Sequence, residues 1–277
     1  MPLNINTNAA ASSASYYLSK NNAALQKSLT RLSSGSRITQ PADDAGGLAV
    51  SMKLSGTINR LSGVEKNIDN AISFLQVQDG VLESAGKILD RMAELKALSQ
   101  DVLKNDSDIA NYNAEFKNLQ VQLYQMSETT FNGVSLFATT YENAAGNDVK
   151  VSFNTSSSAN TVNIFTSASG ESGSIVSLNK TALLSALTID ATTGNVGLSQ
   201  AFQDAATLND EIRSFGSETV GGAFELGDVS VAVFTQALQN IATLRAENGG
   251  SVSRLQFSKE SAAAQRTNLE AANGRIM

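Results

Sequence analysis

LAVSMKLSGTINRLSGVEKNIDNAISFLQVQDGVLESAGKILDRMAELKALSQDVL, residues Leu48 to Leu103, carries one apolar seam along most of its length. Leu61, Ile68, Leu75, Leu82 and Leu89 recur at intervals of seven, and Val64, Ala71, Gln78, Ala85 and Met92 stand three residues after each. That spacing predicts a long helix with one side committed to neighbours. No proline interrupts it, and Gly56, Gly63, Gly80 and Gly86 each cost only about 1 kcal/mol relative to alanine. At the usual helical rise the stretch approaches about 80 Å. Past Leu89 the spacing changes to threes and fours through Met92, Leu95, Leu98 and Val102, a stutter that lets the seam drift around the helix.

Composition narrows the chemistry. The 277 residues include no cysteine, histidine or tryptophan, and 42% are hydrophobic. Without Cys there is no disulfide framework, and without Cys or His there is no ordinary ligand set for zinc, haem or an iron–sulfur cluster. Ser-His-Asp triads, cysteine nucleophiles and histidine acid–base catalysis are excluded as well. No pair of carboxylates is singled out by spacing, so the reading assigns no catalytic, cofactor-binding or metal residue and expects a protein that is not an enzyme. No apolar run reaches membrane-spanning length, and residues 1–20 lack the basic and apolar regions of a cleaved signal.

Residues 1–42 stand apart. Lys20, Lys27, Arg31 and Arg37 are their only charged residues, a net of +4 in a chain whose total is −6. Ala11, Leu18, Leu25 and Leu32 fall seven apart with Leu29 widening the stripe, which predicts an amphipathic helix with a thin apolar face that needs a partner. Four cations without a dense cluster do not make a nucleic-acid surface. Gly35 is placed to end this helix, Pro41 forbids its continuation, and Asp43 or Asp44 can cap the next. Asn105 to Asp108 supplies a turn and an N-cap for a third helix, with Ile109, Tyr112, Phe116, Leu119, Leu123 and Met126 as its seam. Asn132-Gly133 signals a turn beyond it.

The middle, 141–228, is acidic and rich in Ser, Thr, Asn and Gly, with ten acids against three bases. Val149, Val151 and Phe153 alternate with polar residues, as do Val162 and Ile164, predicting a β-hairpin about the intervening polar loop. Leu183 to Leu187 and Leu198 to Phe215 are expected to be helical. From Asp228 one long helix returns, with Val231, Phe234, Leu238, Ile241, Val252, Leu255, Ala262, Leu269 and Ile276 in one register. Arg245, Asn248, Lys259 and Arg266 interrupt it, and Gly249-Gly250 is expected to bend or break it. The fold class is therefore mainly α: an elongated antiparallel helical bundle, coiled-coil-like, with a β-hairpin and a small variable α+β middle region. The expected domains are 1–42, then 43–140 with 229–277, then 141–228. Leu75, Leu82, Phe116, Leu119, Leu238 and Leu255 are expected in the core.

Four stretches carry a resemblance: LSSGSRITQPADDAGGLAVS from Leu32 to Ser51, RMAELKALSQ from Arg91 to Gln100, TTFNGVSLF from Thr129 to Phe137, and NGGSVSRLQFSKESAAAQRTNLEAANGRI from Asn248 to Ile276. They resemble bacterial flagellin, the subunit of the flagellar filament, and more loosely the hook–filament junction proteins, which are kept as the alternative. The resemblance implies a structural subunit that self-assembles through its terminal helices into the propeller for swimming, with Leu18, Leu25, Leu29 and Leu32 in the polymerisation helix. It implies other flagellin subunits, the type III export apparatus and the filament cap protein as partners, and an extracellular filament as the location. It implies a host Toll-like receptor as a further partner, gripping positions that match Arg91, Leu95 and Glu115. Some flagellins carry an inserted zinc protease, which needs a His-Glu-x-x-His helix that a chain without histidine lacks. The family pattern continues past an element similar to Gly274-Arg275-Ile276 into a final amphipathic helix. The expectation is that residues 1–42 find no such partner within the sequence as given, and that the export chaperone's site is missing with it.

Overall fold

The computed structural model describes residues 9–138, 141–142, 148–149, 161–190, 195–196 and 212–277. They form two compact units, Met1–Gly63 with Ala262–Met277 and Val64–Ser261. Five α-helices occur among the described residues: α1 (Ala9–Ser34), α2 (Ala45–Ser99), α3 (Asp106–Ser127), the single turn α4 (Leu183–Ala186) and α5 (Val231–Ile276).

The local signals for α1 to α3 act as read. Gly35 has φ +68° and its N–H returns to the Arg31 carbonyl at 2.9 Å, the left-handed cap that ends α1. Asp44 caps α2, its carboxylate accepting from the Gly47 N–H at 2.8 Å. Asn105 caps α3 in a capping box, accepting from the Asp108 N–H at 2.8 Å while the Asp108 side chain accepts from the Asn105 N–H. The α2 seam is buried from Leu61 through Val64, Ile68, Ala71, Leu75, Gln78, Leu82, Ala85, Leu89, Met92 and Leu95. Leu98 and Val102 are exposed, and α2 stops at Ser99.

In the larger unit α2 and α5 run antiparallel, tied by the Asn248 amide to the Leu75 carbonyl at 2.8 Å, by Arg245 to Asp79 at 2.8 and 3.0 Å, and by Lys259 to Asp69 at 2.6 Å. Three of the four polar interruptions in the α5 register are thus ties across to α2. The expected break at Gly249-Gly250 does not occur, because α5 continues through both residues. Asn248 beside them is anchored to α2 and Leu255 below them is fully buried, which offsets the modest helix cost of two glycines. The α3 seam is also rotated from the expected one. Phe116 and Leu123 are buried, whereas Leu119 and, on α5, Leu238 are only half-buried, and Gln120 and Asn240 take the inner positions.

The strand pairings differ from the reading in one respect. β1 (Thr130–Phe131) and β2 (Val134–Ser135) close around Asn132-Gly133, with φ +50° and +78°, as a two-residue hairpin. β3 (Tyr141–Glu142) pairs with β4 (Asp148–Val149), and β5 (Thr161–Phe165) pairs with β6 (Ile175–Asn179) in the register Ile164 to Val176. The strand holding Val162 and Ile164 therefore takes a later partner, not the expected one around Val149, because Val176 and Leu178 of β6 give it a buried face. Val151 and Phe153 lie outside the described residues. Leu183 to Ala186 is helical as expected. The end of the helix expected over Leu198 to Phe215 is instead strand β9 (Ile212–Ser214). It lies with β8 (Asn195–Val196) on either side of β7 (Thr188–Asp190). Leu198 to Glu211 lie outside the described residues.

Candidate functional site

The first surface is α1. Its 26 residues include none that is buried. Leu18, Leu25, Leu29 and Leu32 are 64, 59, 55 and 81% exposed, a continuous apolar stripe at helical spacing. Lys20, Lys27 and Arg31 fall on the opposite side of the same helix. Two of them turn that side toward the connection to α2: Lys27 Nζ lies 2.5 Å from Asp43 Oδ1 and Arg31 Nη2 lies 3.6 Å from Asp43 Oδ2.

Asp43 is the hub of this connection. Its carboxylate also accepts from the Thr39 N–H at 3.3 Å and the Thr39 hydroxyl at 3.1 Å, and the side chain is 7% exposed. The hydrogen bond from Lys27, opposed by partial burial and aided by Thr39, holds the Asp43 carboxyl far below the usual carboxylate range. Ile38 is buried under the turn, where a side chain at Gly47 would run into Ile38 Cδ1 and the Asp44 carboxylate. Arg37 donates to the Ile276 carbonyl at 3.1 Å, and Asn273 accepts from the Ser51 hydroxyl at 2.7 Å. By sequence either Asp43 or Asp44 can cap α2. The structure separates them, Asp44 capping α2 and Asp43 collecting the cations of α1.

The second surface lies on the larger unit, where Arg91 of α2 meets Glu115 of α3. Arg91 Nε donates to Glu115 Oε1 at 2.8 Å and Nη1 donates to Glu94 Oε2 at 2.7 Å, and all three side chains are more than two-fifths exposed. The bond to Glu115, and secondarily that to Glu94, raises the guanidinium above its already high ordinary pKa. Leu95 does not belong to this surface. It is 0% exposed, because four residues of helix advance the side chain by about 40° and carry it from the rim at Arg91 into the α2 seam. Of the expected set, the structure brings Arg91 and Glu115 together as an exposed ion pair and places Leu95 in the core behind it.

A third group of polar residues, of which only Gln78 stands in a seam read from the sequence, faces inward. Gln78 Nε2 donates to the Leu136 carbonyl at 2.6 Å, Lys96 Nζ to the Leu226 carbonyl at 2.7 Å, and Asn240 Nδ2 to the Ala186 carbonyl at 3.1 Å. Gln120 engages both the N–H and the carbonyl of Phe224. Asn113 Oδ1 accepts from the Leu226 N–H at 2.8 Å, while Asn113 and Lys117 both donate to Glu225. The carboxyl of Glu225 is thereby held below its ordinary pKa, first by Lys117 and then by Asn113. These side chains satisfy backbone groups of the non-helical segments and fasten them to the helices. The available signal was a polar residue at an inward heptad position, as at Gln78.

Among the described residues there is no group of three acidic side chains arranged to hold a metal ion and no helix long and apolar enough to cross a membrane. The family model for the bacterial flagellin N-terminal helical region matches residues 5–142. A flagellin of Bacillus subtilis is 29% identical over 278 residues, which cover 99% of this chain and 86% of the relative. A flagellin of Listeria innocua is 36% identical over 159 residues, 57% of this chain and 54% of the relative, so the match spans about half the length of that protein. A solved structure described as a flagellar hook-associated protein from Vibrio parahaemolyticus superposes with a TM-score of 0.60 at 16% identity, covering 85% of this chain and 100% of that one; it shares the fold. The matched stretch takes in α1, the turn at Asp43, α2, α3 and the Asn132-Gly133 hairpin, and this chain belongs to the bacterial flagellin family, whose members are structural subunits of the flagellar filament.

Proposed function

We propose that this chain is a structural subunit of the extracellular flagellar filament and that it joins copies of itself through the leucine stripe of α1. The observation that carries this is the exposure of Leu18, Leu25, Leu29 and Leu32 along a helix with no buried residue. An amphipathic helix of this kind gains its stability from packing, and a like helix on a second copy offers a matching apolar stripe. The ion pairs of Lys27 and Arg31 with Asp43 occupy the polar side and leave the leucines outward. Passage through the flagellar export apparatus, capping by the cap protein and an outward position for the acidic 141–228 region belong to the same reading.

Recognition by a host Toll-like receptor is the second part of the proposal, with Arg91 and Glu115 as the contact pair and Leu95 as the core residue that keeps α2 in register beneath Arg91. The alternative, a hook–filament junction protein, shares the fold. Immunolabelling of intact flagella distinguishes them: label along the whole filament supports the subunit reading, and label confined to the filament base supports the junction protein.

A further inference from the structure

We infer that Asn132 is a site of spontaneous deamidation directed by the fold, converting to aspartate and isoaspartate through a succinimide closed on Gly133. The sequence holds three Asn-Gly pairs, Asn132-Gly133, Asn248-Gly249 and Asn273-Gly274. The reaction needs the main-chain nitrogen of the glycine to reach the asparagine Cγ, and glycine permits it because no side chain shields that nitrogen. The three pairs share this chemistry and differ in their surroundings.

Asn248 and Asn273 are both inside α5, where the glycine N–H is committed to the helical ladder. Each side chain is also held. Asn248 is buried with Nδ2 donating to the Leu75 carbonyl at 2.8 Å. Asn273 Oδ1 accepts from Ser51 at 2.7 Å while Nδ2 donates to Ser55 at 3.3 Å. Asn132 is exposed at the tip of the β1–β2 hairpin and has no side-chain hydrogen bond among the described residues. It has φ +50°, the one non-glycine residue with positive φ among those described, a conformation that a residue with a Cβ adopts at a cost. Gly133 follows at φ +78° with open space around its Cα. As the second central residue of a two-residue turn, its N–H lies outside the β1–β2 ladder.

The step balances without an oxidant or cofactor. The Gly133 nitrogen, losing its proton to solvent base, forms a bond to Asn132 Cγ, and Nδ2 departs with a proton as ammonia. Water then opens the five-membered ring at either carbonyl, leaving aspartate or isoaspartate. The net exchange is one water taken up and one ammonia released. Isoaspartate lengthens the main chain inside a two-residue turn, which displaces the register of Phe131 with Val134 and loosens the edge-to-face contact of Phe131 on Phe74 at 6.0 Å. The modification thus adds a negative charge at the hairpin tip and loosens the hairpin's hold on α2.

The test follows the full chain at mildly alkaline pH and physiological temperature, folded and in urea, with digestion and fragment mass spectrometry at each time point. In the folded chain Asn132 gains one mass unit and separates into two isomeric forms at least about tenfold faster than Asn248 or Asn273, the protection expected of amides in stable helices. In urea the three rates converge. Asn132→Gln abolishes the fast event. Conversion of all three at similar rates in the folded chain, or no conversion of Asn132 where the urea sample converts, overturns the inference.

Discussion

Gln120 and Phe224 hold each other by two hydrogen bonds, Gln120 Nε2 donating to the Phe224 carbonyl at 3.0 Å and the Phe224 N–H donating to Gln120 Oε1 at 2.8 Å. A side chain on α3 thus does what a neighbouring strand would do for one residue of an irregular segment. Gln120 is fully buried, so its truncation removes two buried hydrogen bonds to the Phe224 backbone. Gln120→Ala is expected to destabilise the larger unit by about 2 kcal/mol or more. Urea unfolding reads this as a lower midpoint at unchanged slope. A midpoint equal to the parent's would show that water replaces the glutamine at no cost.

The aromatic centre of the same unit is the most sensitive apolar position. Phe116 meets Phe234 edge-on at 6.1 Å, and Phe234 stacks on Phe215 at 5.3 Å. Phe116→Ala is expected to cost about 3 to 5 kcal/mol. Leu119→Ala, at a half-buried position, is expected to cost less than half as much. Thermal melts of the two variants rank them, and equal losses would contradict the rotated α3 seam.

Acid should unfold the chain through its paired carboxylates. Asp43 is held below its ordinary pKa by Lys27, Asp79 by Arg245 and Glu225 by Lys117, in each case against partial desolvation. A carboxyl whose folded pKa is depressed binds fewer protons in the folded state, so its stabilisation is complete above the unfolded value of about 4 and is lost as pH falls from there through the folded value. The urea midpoint should therefore hold steady from neutral pH down to about 5 and decline below about 4. Asp79→Asn should lower the neutral plateau and flatten the acid decline. An unchanged acid limb in that variant would remove Asp79 from the account.

The long elements were legible because their pattern is redundant. The α2 seam repeats often enough that one polar member, Gln78, does not obscure it, and the Gly35, Asp44, Asn105 and Asn132-Gly133 signals are each local chemistry. Local pattern does not reach the positions that tertiary partners decide. Gln120 occupies an inward position on α3 because Phe224 lies opposite, and no property of residues 106–127 alone announces that partner. The strand at Val162 and Ile164 can pair on either side, and the alternation in Ile175-Val-Ser-Leu-Asn179 marks the partner it takes. Leu95 belongs to the drifting seam of α2, and that membership alone accounts for its burial.

α1 should exchange its amides well before the other long helices. With no buried residue, its helical hydrogen bonds are protected chiefly by the salt links to Asp43 and by local propensity. Hydrogen exchange on a dilute sample should show fast exchange over Ala9 to Ser34 and slow exchange around Leu82 to Leu95. High salt should speed α1 further by screening the Lys27 and Arg31 pairs. Protection of α1 equal to that of the α2 seam would mean that a partner covers the leucine stripe even in the dilute chain.

Electron microscopy of filaments grown by cells whose only flagellin is this protein, as the parent or as Leu25→Asp with Leu29→Asp, tests the assembly role of α1 most directly. The account predicts long filaments from the parent. It predicts none from the variant, which should retain the parent's urea midpoint because both leucines are exposed in the subunit. Filaments of parental length from the variant would contradict the claim that the leucine stripe joins the subunits.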